Sequence, residues 1–162
     1  MIKKITLIAL LSCLWLSGRS QSIGLLDLIN LTSLKAEQID DYFISGHSFR
    51  YHSNQVQGDY TIKHYRTFDK GAPSEEVITG QGVKIPSGAT LYTASYVSSN
   101  PKYIISLLNQ TKGVGLKLSF QGADDQYTIY IYDSMLYHVV VKLNFSQTSG
   151  TVDVSQKIAF TQ

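Results

Sequence analysis

The segment Gln126-Tyr127-Thr128-Ile129-Tyr130-Ile131-Tyr132 echoes Asp59-Tyr60-Thr61-Ile62-Lys63-His64-Tyr65 at an offset of 67 residues. Self-similarity at a fixed period marks a chain built from repeated supersecondary units. Gly46 and Gly113 share the same offset, the stripes Ile39, Tyr42, Phe43 and Ile104, Leu107, Leu108 match at 65, and Tyr92 and Tyr96 match Val154 and Ile158 at 62. Small drifts of that kind follow from changes in turn length. A competing alignment sets Tyr92 on Tyr137 and leaves 75–85 as an insertion. The first alignment is preferred because it also gives the C-terminal strand a counterpart.

Ahead of the repeats, Lys3-Lys4, the apolar run Ile5 to Leu16 and Ser17-Gly18-Arg19-Ser20 form the three regions of a secretory signal peptide. Residues 1–20 are therefore excluded from the fold, leaving 21–162 as one domain. The run is too short for a spanning helix, which needs about 20 apolar residues. Leu10-Leu11-Ser12-Cys13 resembles a lipoprotein box, so a lipid anchor at Cys13 is the alternative to a free secreted or periplasmic protein. Leu14-Trp15-Leu16 disfavours it by continuing the apolar run past the cysteine.

Cys13 is the only cysteine, so a chain cut after Ser20 has no disulfide framework and no thiolate chemistry. Without Lys3, Lys4 and Arg19 the 14 basic residues become 11 against 12 acidic ones, which argues against nucleic acid as a partner.

Along the domain, Ser22 to Leu34 reads as a short helix or buried lead-in, and Thr32 or Ser33 as the N-cap of a helix through Ile44. Past Gly46 the period changes from helical to two. Strands are predicted around Phe49 and Tyr51, over Tyr60 to Phe68, over Glu75 to Ile85 and over Thr90 to Val97, with turns at 54–58, 69–74 and 86–88. Ser99-Asn100-Pro101 then opens a second helix ending at Gly113. Leu116 to Phe120, Tyr127 to Tyr132, Leu136 to Phe145 and Val152 to Phe160 complete the second set. The units span about 31–98 and 99–162.

A unit of one helix and four alternating strands can bury only one sheet face. The expected fold is α+β: two tandem αββββ repeats joined edge to edge in one twisted antiparallel sheet of about eight strands, helices on one face and a concave face left open. That order of elements resembles tandem-repeat β-lactamase-inhibitory proteins over nearly the whole of 21–162, and more loosely the saddle of TATA-box-binding proteins. The first resemblance implies an open sheet face that grips another protein.

Alternation then divides the side chains. Tyr60, Ile62 and His64, with Tyr127, Ile129 and Ile131, are expected beneath the helices. Arg50, Lys63, Tyr65, Lys117, Tyr130, Tyr132 and His138 are expected on the open face, where tyrosine and arginine have the composition of binding hot spots. His52, Ser119, Val140 and Lys142 are placed with them, and Val139, Val141 and Leu143 inward. Exposure of Tyr65, Tyr130 and Tyr132 as one contiguous surface is the condition this binding face must meet.

Chemistry of other kinds finds little support. His47 and His52 are five apart on a strand and project to opposite faces, so they cannot share a metal. Asp40-Asp41 and Asp124-Asp125 fit a solvated helix face and a turn. Neither a nucleophile elbow, a phosphate loop nor an HExxH pattern occurs, and no cofactor is implied. The function expected is therefore a secreted or periplasmic binding protein with a protein partner, in an inhibitor, immunity or assembly role. The alternative is a small-ligand carrier or hydrolase with a cavity between sheet and helices around His64, using Tyr60 or Tyr127.

Overall fold

The computed structural model describes residues 22–46, 48–68 and 72–158. The expected signal peptide with Cys13, His47, the Asp69-Lys70-Gly71 part of the predicted loop and the last residues of the eighth predicted strand lie outside them. Helix α1 spans Leu25–Leu31, α2 Ala36–Gly46 and α3 Pro101–Gln110, the last continued by a 3-10 turn over Thr111–Val114. Strands β1 to β8 are Phe49–Gln57, Tyr60–Thr67, Glu75–Lys84, Thr90–Ser98, Lys117–Ala123, Tyr127–Asp133, Tyr137–Asn144 and Gly150–Gln156.

These strands form one antiparallel sheet in the order β1-β2-β3-β4-β8-β7-β6-β5. Each repeat is a four-stranded meander. The two join through their last strands, with Tyr96 opposite Val152 and Ala94 opposite Val154. The segment 75–85 is a strand of the sheet rather than an insertion.

Cross-strand register fixes the correspondence between repeats. Tyr51, Tyr65, Val77 and Tyr96 form one row across the first repeat; Leu118, Tyr132, Val139 and Val154 form the matching row of the second. The offset falls from 67 in the first two strands to 62 and then 58. Tyr96 therefore corresponds to Val154, a correction to the expected match with Ile158. The register slips between Tyr51 and Ser53 in β1 and between Leu118 and Phe120 in β5, so even the β-bulge recurs at 67.

Three helices cover one face. Leu25, Leu28 and Leu31 of α1 are fully buried, and α1 lies against β4 and β8, the seam between the repeats. Burying side chains of that size contributes about 1.5–3 kcal/mol each. Asp27 accepts from the Gly24 N–H at 2.7 Å, and Gln110 Oε1 accepts from the Leu25 N–H at 2.8 Å, tying the start of α1 to the end of α3. Helix α2 buries Ile39 and Phe43 and lies against β1; α3 buries Ile104 and Leu107 against β4, β7 and β8.

Several boundaries differ from expectation. Thr32 ends α1, its hydroxyl donating to Ile29 O, so it does not cap α2. Instead the Lys35 N–H, just ahead of α2, is met by Gln38 Oε1 at 2.9 Å. Asn100 caps α3 as expected, accepting from the Lys102 N–H, but the left-handed residue that releases the chain is Gly115 rather than Gly113. The turn expected over 54–58 shrinks to Gly58-Asp59, because Gly58 at φ 59° lets a two-residue loop close the hairpin.

Candidate interaction face

In an antiparallel ladder, directly paired residues lie on the same side of the sheet. Tyr65 pairs with Val77, and Tyr132 with Val139, both valines fully buried beneath the helices. Tyr65 is 1% exposed and Tyr132 8%, while Tyr130 is half-buried against the same core. Lys63 shares their side and donates to Asp40 of α2 at 2.5 Å. The expectation that Lys63, Tyr65, Tyr130 and Tyr132 form the open face is thus overturned: all four turn toward the helices. Tyrosine is long enough to carry its hydroxyl across the sheet–helix gap, and that of Tyr65 ends on Asp40 Oδ1.

The partner set moves correspondingly. Ile62 and His64, with Tyr127, Ile129 and Ile131, belong to the side opposite the helices, and so does Arg66, whereas Tyr60, at the start of β2, lines a groove with Leu31, Leu34 and Ile39 on the helix side. One row across that face runs Ser53, His64, Ile78, Ser95, Asp153, Val140, Ile131, Phe120. The next runs Arg50, Arg66, Glu76, Val97, Thr151, Lys142, Ile129, Gly122. The half of the face from β5 to β7 therefore carries Phe120, Ile129, Ile131 and Val140 as neighbours. Ile129, Ile131 and Val140 are half-buried, like Tyr130, and Phe120 is exposed, whereas Val139 and Val141 on the other side are fully buried.

The half of the face from β1 to β3 carries Ile62, buried, and Ile78, partly exposed, beside a charged cluster. His64 Nδ1 lies 2.8 Å from Glu76 Oε1, Arg66 donates to Glu76 Oε2 at 3.2 Å, and Arg66 Nη1 lies 3.0 Å from His52 Nε2. Burial alone would raise the Glu76 carboxyl, but the bonds from His64 and Arg66 hold it below its ordinary range. A related cluster stands at the other wing. Ser119 donates to Asp133 Oδ2 at 2.6 Å, Lys157 to Asp133 Oδ1 at 2.9 Å, and His138 Nδ1 lies 3.0 Å from the same oxygen. The Ser119 and Lys157 bonds drive the Asp133 carboxyl well below the carboxylate range. His52 and Ser119 are the two bulge residues, 67 apart. In both repeats the bulge residue's polar side chain reaches an open-face residue of the next strand, Arg66 in one and Asp133 in the other, each of which pairs with the residue two before the bulge, Arg50 or Lys117.

Of the expected site residues, Arg50, Lys117 and His138 do lie on the open side, with Val140 and Lys142. Arg50 pairs with Arg66 on one edge of the sheet, and Lys117 pairs with Asp133 on the other. Seven interstrand steps, about 34 Å, separate these edges. Only Lys117 and His138 are near neighbours, through Asp133. The sequence reading missed Ile129, Ile131 and Phe120 as surface residues. Its own inward placement of Val139 and Val141 carried the signal, because those two pair with Tyr132 and Tyr130.

The alternative cavity around His64 is also corrected. His64 stands on the face away from the helices, joined to Glu76, and lines neither groove found between sheet and helices. Among the described residues no group of three or more His, Cys, Asp or Glu could hold a metal ion, and no helix is long and apolar enough to cross a membrane.

No protein-family model, curated protein or solved structure matches the chain. What fold and surface define is a tandem α+β repeat protein with an exposed, aromatic-containing patch of the kind that suits protein interaction. Of the expected resemblance, the tandem helix-plus-four-strand architecture is what the structure shows.

Proposed function

We propose that this chain is an extracytoplasmic binding protein that engages a protein partner through the sheet face opposite its helices. The observation that carries the proposal is the contiguous set of exposed Phe120 with partly exposed Ile129, Ile131 and Val140 on the side away from the helices, with His138, Lys142 and the His64-Glu76-Arg66 cluster on the same face. Apolar residues ringed by polar and charged ones have the anatomy of an interface core with its rim. Eight strands of about eight residues present a face of about 34 Å by about 27 Å, roughly 900 Å², about one partner's share of a standard interface.

The signal-like segment at 1–20 supports a secreted or periplasmic address, with a lipid anchor at Cys13 as the disfavoured alternative. An inhibitor, immunity or assembly role fits such a surface. The test is recovery of a partner from envelope extract with the chain and with Ile131→Lys and Val140→Asp, folding being checked by circular dichroism. Loss of the partner in folded variants is expected. Unchanged recovery with both substitutions would sink the proposal.

A further inference from the structure

On the helix side, a groove of about 490 Å³ opens between α2 and the edge strand β1. Its apolar walls are the rings of Phe43, Phe49, Tyr51 and Tyr65. Phe43 lies 4.3 Å from Tyr65 and 5.5 Å from Phe49 between centroids, and Tyr51 meets Tyr65 edge-on at 6.2 Å. Three of these rings are buried, whereas Tyr51 is 52% exposed and forms the groove's accessible platform.

Polar groups converge on the same space. Asp40 accepts from Tyr65 on Oδ1 and from Lys63 on Oδ2, both at 2.5 Å, and its side chain remains 38% exposed. A carboxylate has about four acceptor sites, so about two are left for a ligand. Asn54, which pairs with Lys63 across β1 and β2, adds an exposed amide that can both donate and accept.

The second repeat provides an internal comparison. At the offset of 67, Tyr51 becomes Leu118, Lys63 becomes Tyr130 and Tyr65 remains tyrosine in Tyr132; at the helical offset of 65, Asp40 becomes Ile105. Tyr130 packs against the core where Lys63 reaches for Asp40. The aromatic platform and the ion pair therefore belong to the first repeat alone. The shared scaffold does not require them, since the second repeat keeps its strand and helix positions without them.

From this geometry we infer that the groove between α2 and β1 is a binding site for a neutral saccharide, a pyranose ring stacked on Tyr51 with its hydroxyls on Asp40 and Asn54. Charge selects among ligand classes. Asp40 is paired with Lys63, and Arg50, which also lines the groove, donates to the Phe49 carbonyl oxygen at 3.0 Å. An anionic ligand on the free acceptor sites of Asp40 would meet like charge there, and an acyl chain would desolvate the ion pair without replacing its hydrogen bonds. A pyranose supplies an apolar face for the ring and hydroxyls that donate to Asp40 and accept from Asn54. The volume falls within the range of small-molecule sites.

The experiment is an NMR titration of the protein with N-acetylglucosamine, methyl glucoside, maltose and cellobiose, with octanoate and inorganic phosphate as ionic probes. At least one sugar is expected to shift the Tyr51 resonances with a millimolar or tighter Kd. In folded Tyr51→Ala that affinity falls about tenfold, the loss of one aromatic contact. Asn54→Ala weakens it less, and Leu118→Ala at the equivalent place leaves it unchanged. Absence of binding by every sugar, unchanged affinity in Tyr51→Ala, or tighter binding of octanoate than of any sugar would overturn the site. Because the groove and the open sheet face lie on opposite sides, Ile131→Lys is expected to leave the sugar titration unaltered.

Discussion

Tyr65 and Asp40, 25 residues apart, are joined by a hydrogen bond of 2.5 Å that ties the second strand to the helix above it. Burial of the ring and the carboxylate acceptor both push the Tyr65 hydroxyl above its ordinary range, so it is a donor at neutral pH. Tyr65→Phe keeps the ring and removes only that bond. A hydrogen bond to a charged group contributes about 1.5–3 kcal/mol, and the partial exposure of Asp40 favours the lower end. Urea unfolding of Tyr65→Phe is expected to show a loss of about 1.5 kcal/mol, and Tyr132→Phe, whose helix offers Ile105 in place of Asp40, less than half as much.

Removing the rings themselves separates the two faces. Tyr65→Ala and Tyr132→Ala each empty a buried site beneath the helices and are expected to cost about 3–5 kcal/mol. Phe120→Ala, on the open side and exposed, is expected to cost under about 1 kcal/mol. Equal losses in the three variants, measured by urea denaturation, would contradict this assignment of faces.

The error over those faces has a definite physical origin. The echo at 67 was legible because it is local: identical residue types at identical spacing, and the structure places Tyr65 and Tyr132 at equivalent points of one row. Which of two alternating sets faces the core depends on the register between strands, and register depends on the length of the turn. The connection 134–136 sets Tyr132 opposite Val139. Once Val139 and Val141 are inward, Tyr130 and Tyr132 must follow. Apolar content alone pointed the other way, since Ile129 and Ile131 outrank Tyr130 and Tyr132 in hydrophobicity. The bulges at His52 and Ser119 were equally illegible, because an unpaired residue leaves no mark on composition.

Acid should weaken the fold through the open-face clusters. Glu76 and Asp133 are both depressed in the folded protein, below ordinary values of 4.5 and 3.8. A depressed carboxyl binds fewer protons folded than unfolded, so its stabilisation is fully present above the unfolded value and is lost as pH falls through the folded one. The urea midpoint is expected to hold from neutrality down to about pH 5 and then to decline. In the double variant Glu76→Gln, Asp133→Asn the decline should be shallower. An acid limb identical to that of the native chain would show that these two carboxylates do not carry it.

Gly80 marks the tightest backbone approach in the first repeat. It lies where the register between β3 and β4 slips, at φ 85°, and a Cβ there would stand 2.2 Å from the Thr61 carbonyl oxygen of the neighbouring strand. Two penalties combine, the left-handed backbone at about 1–2 kcal/mol for any residue with a Cβ and a clash with main chain that no side-chain rotation relieves. Gly58 gives the matching control, because it too has positive φ, at 59°, but open space around it. Gly58→Ala is expected to cost about 1 kcal/mol and Gly80→Ala about 3 kcal/mol or more. In Gly58→Asn the loss should be smaller than in Gly58→Ala, since asparagine tolerates the left-handed region, whereas Gly80→Asn should be no better than Gly80→Ala. Urea midpoints of the four variants measure this. Equal losses at the two glycines would mean that β3 does not press on Thr61 at the irregularity.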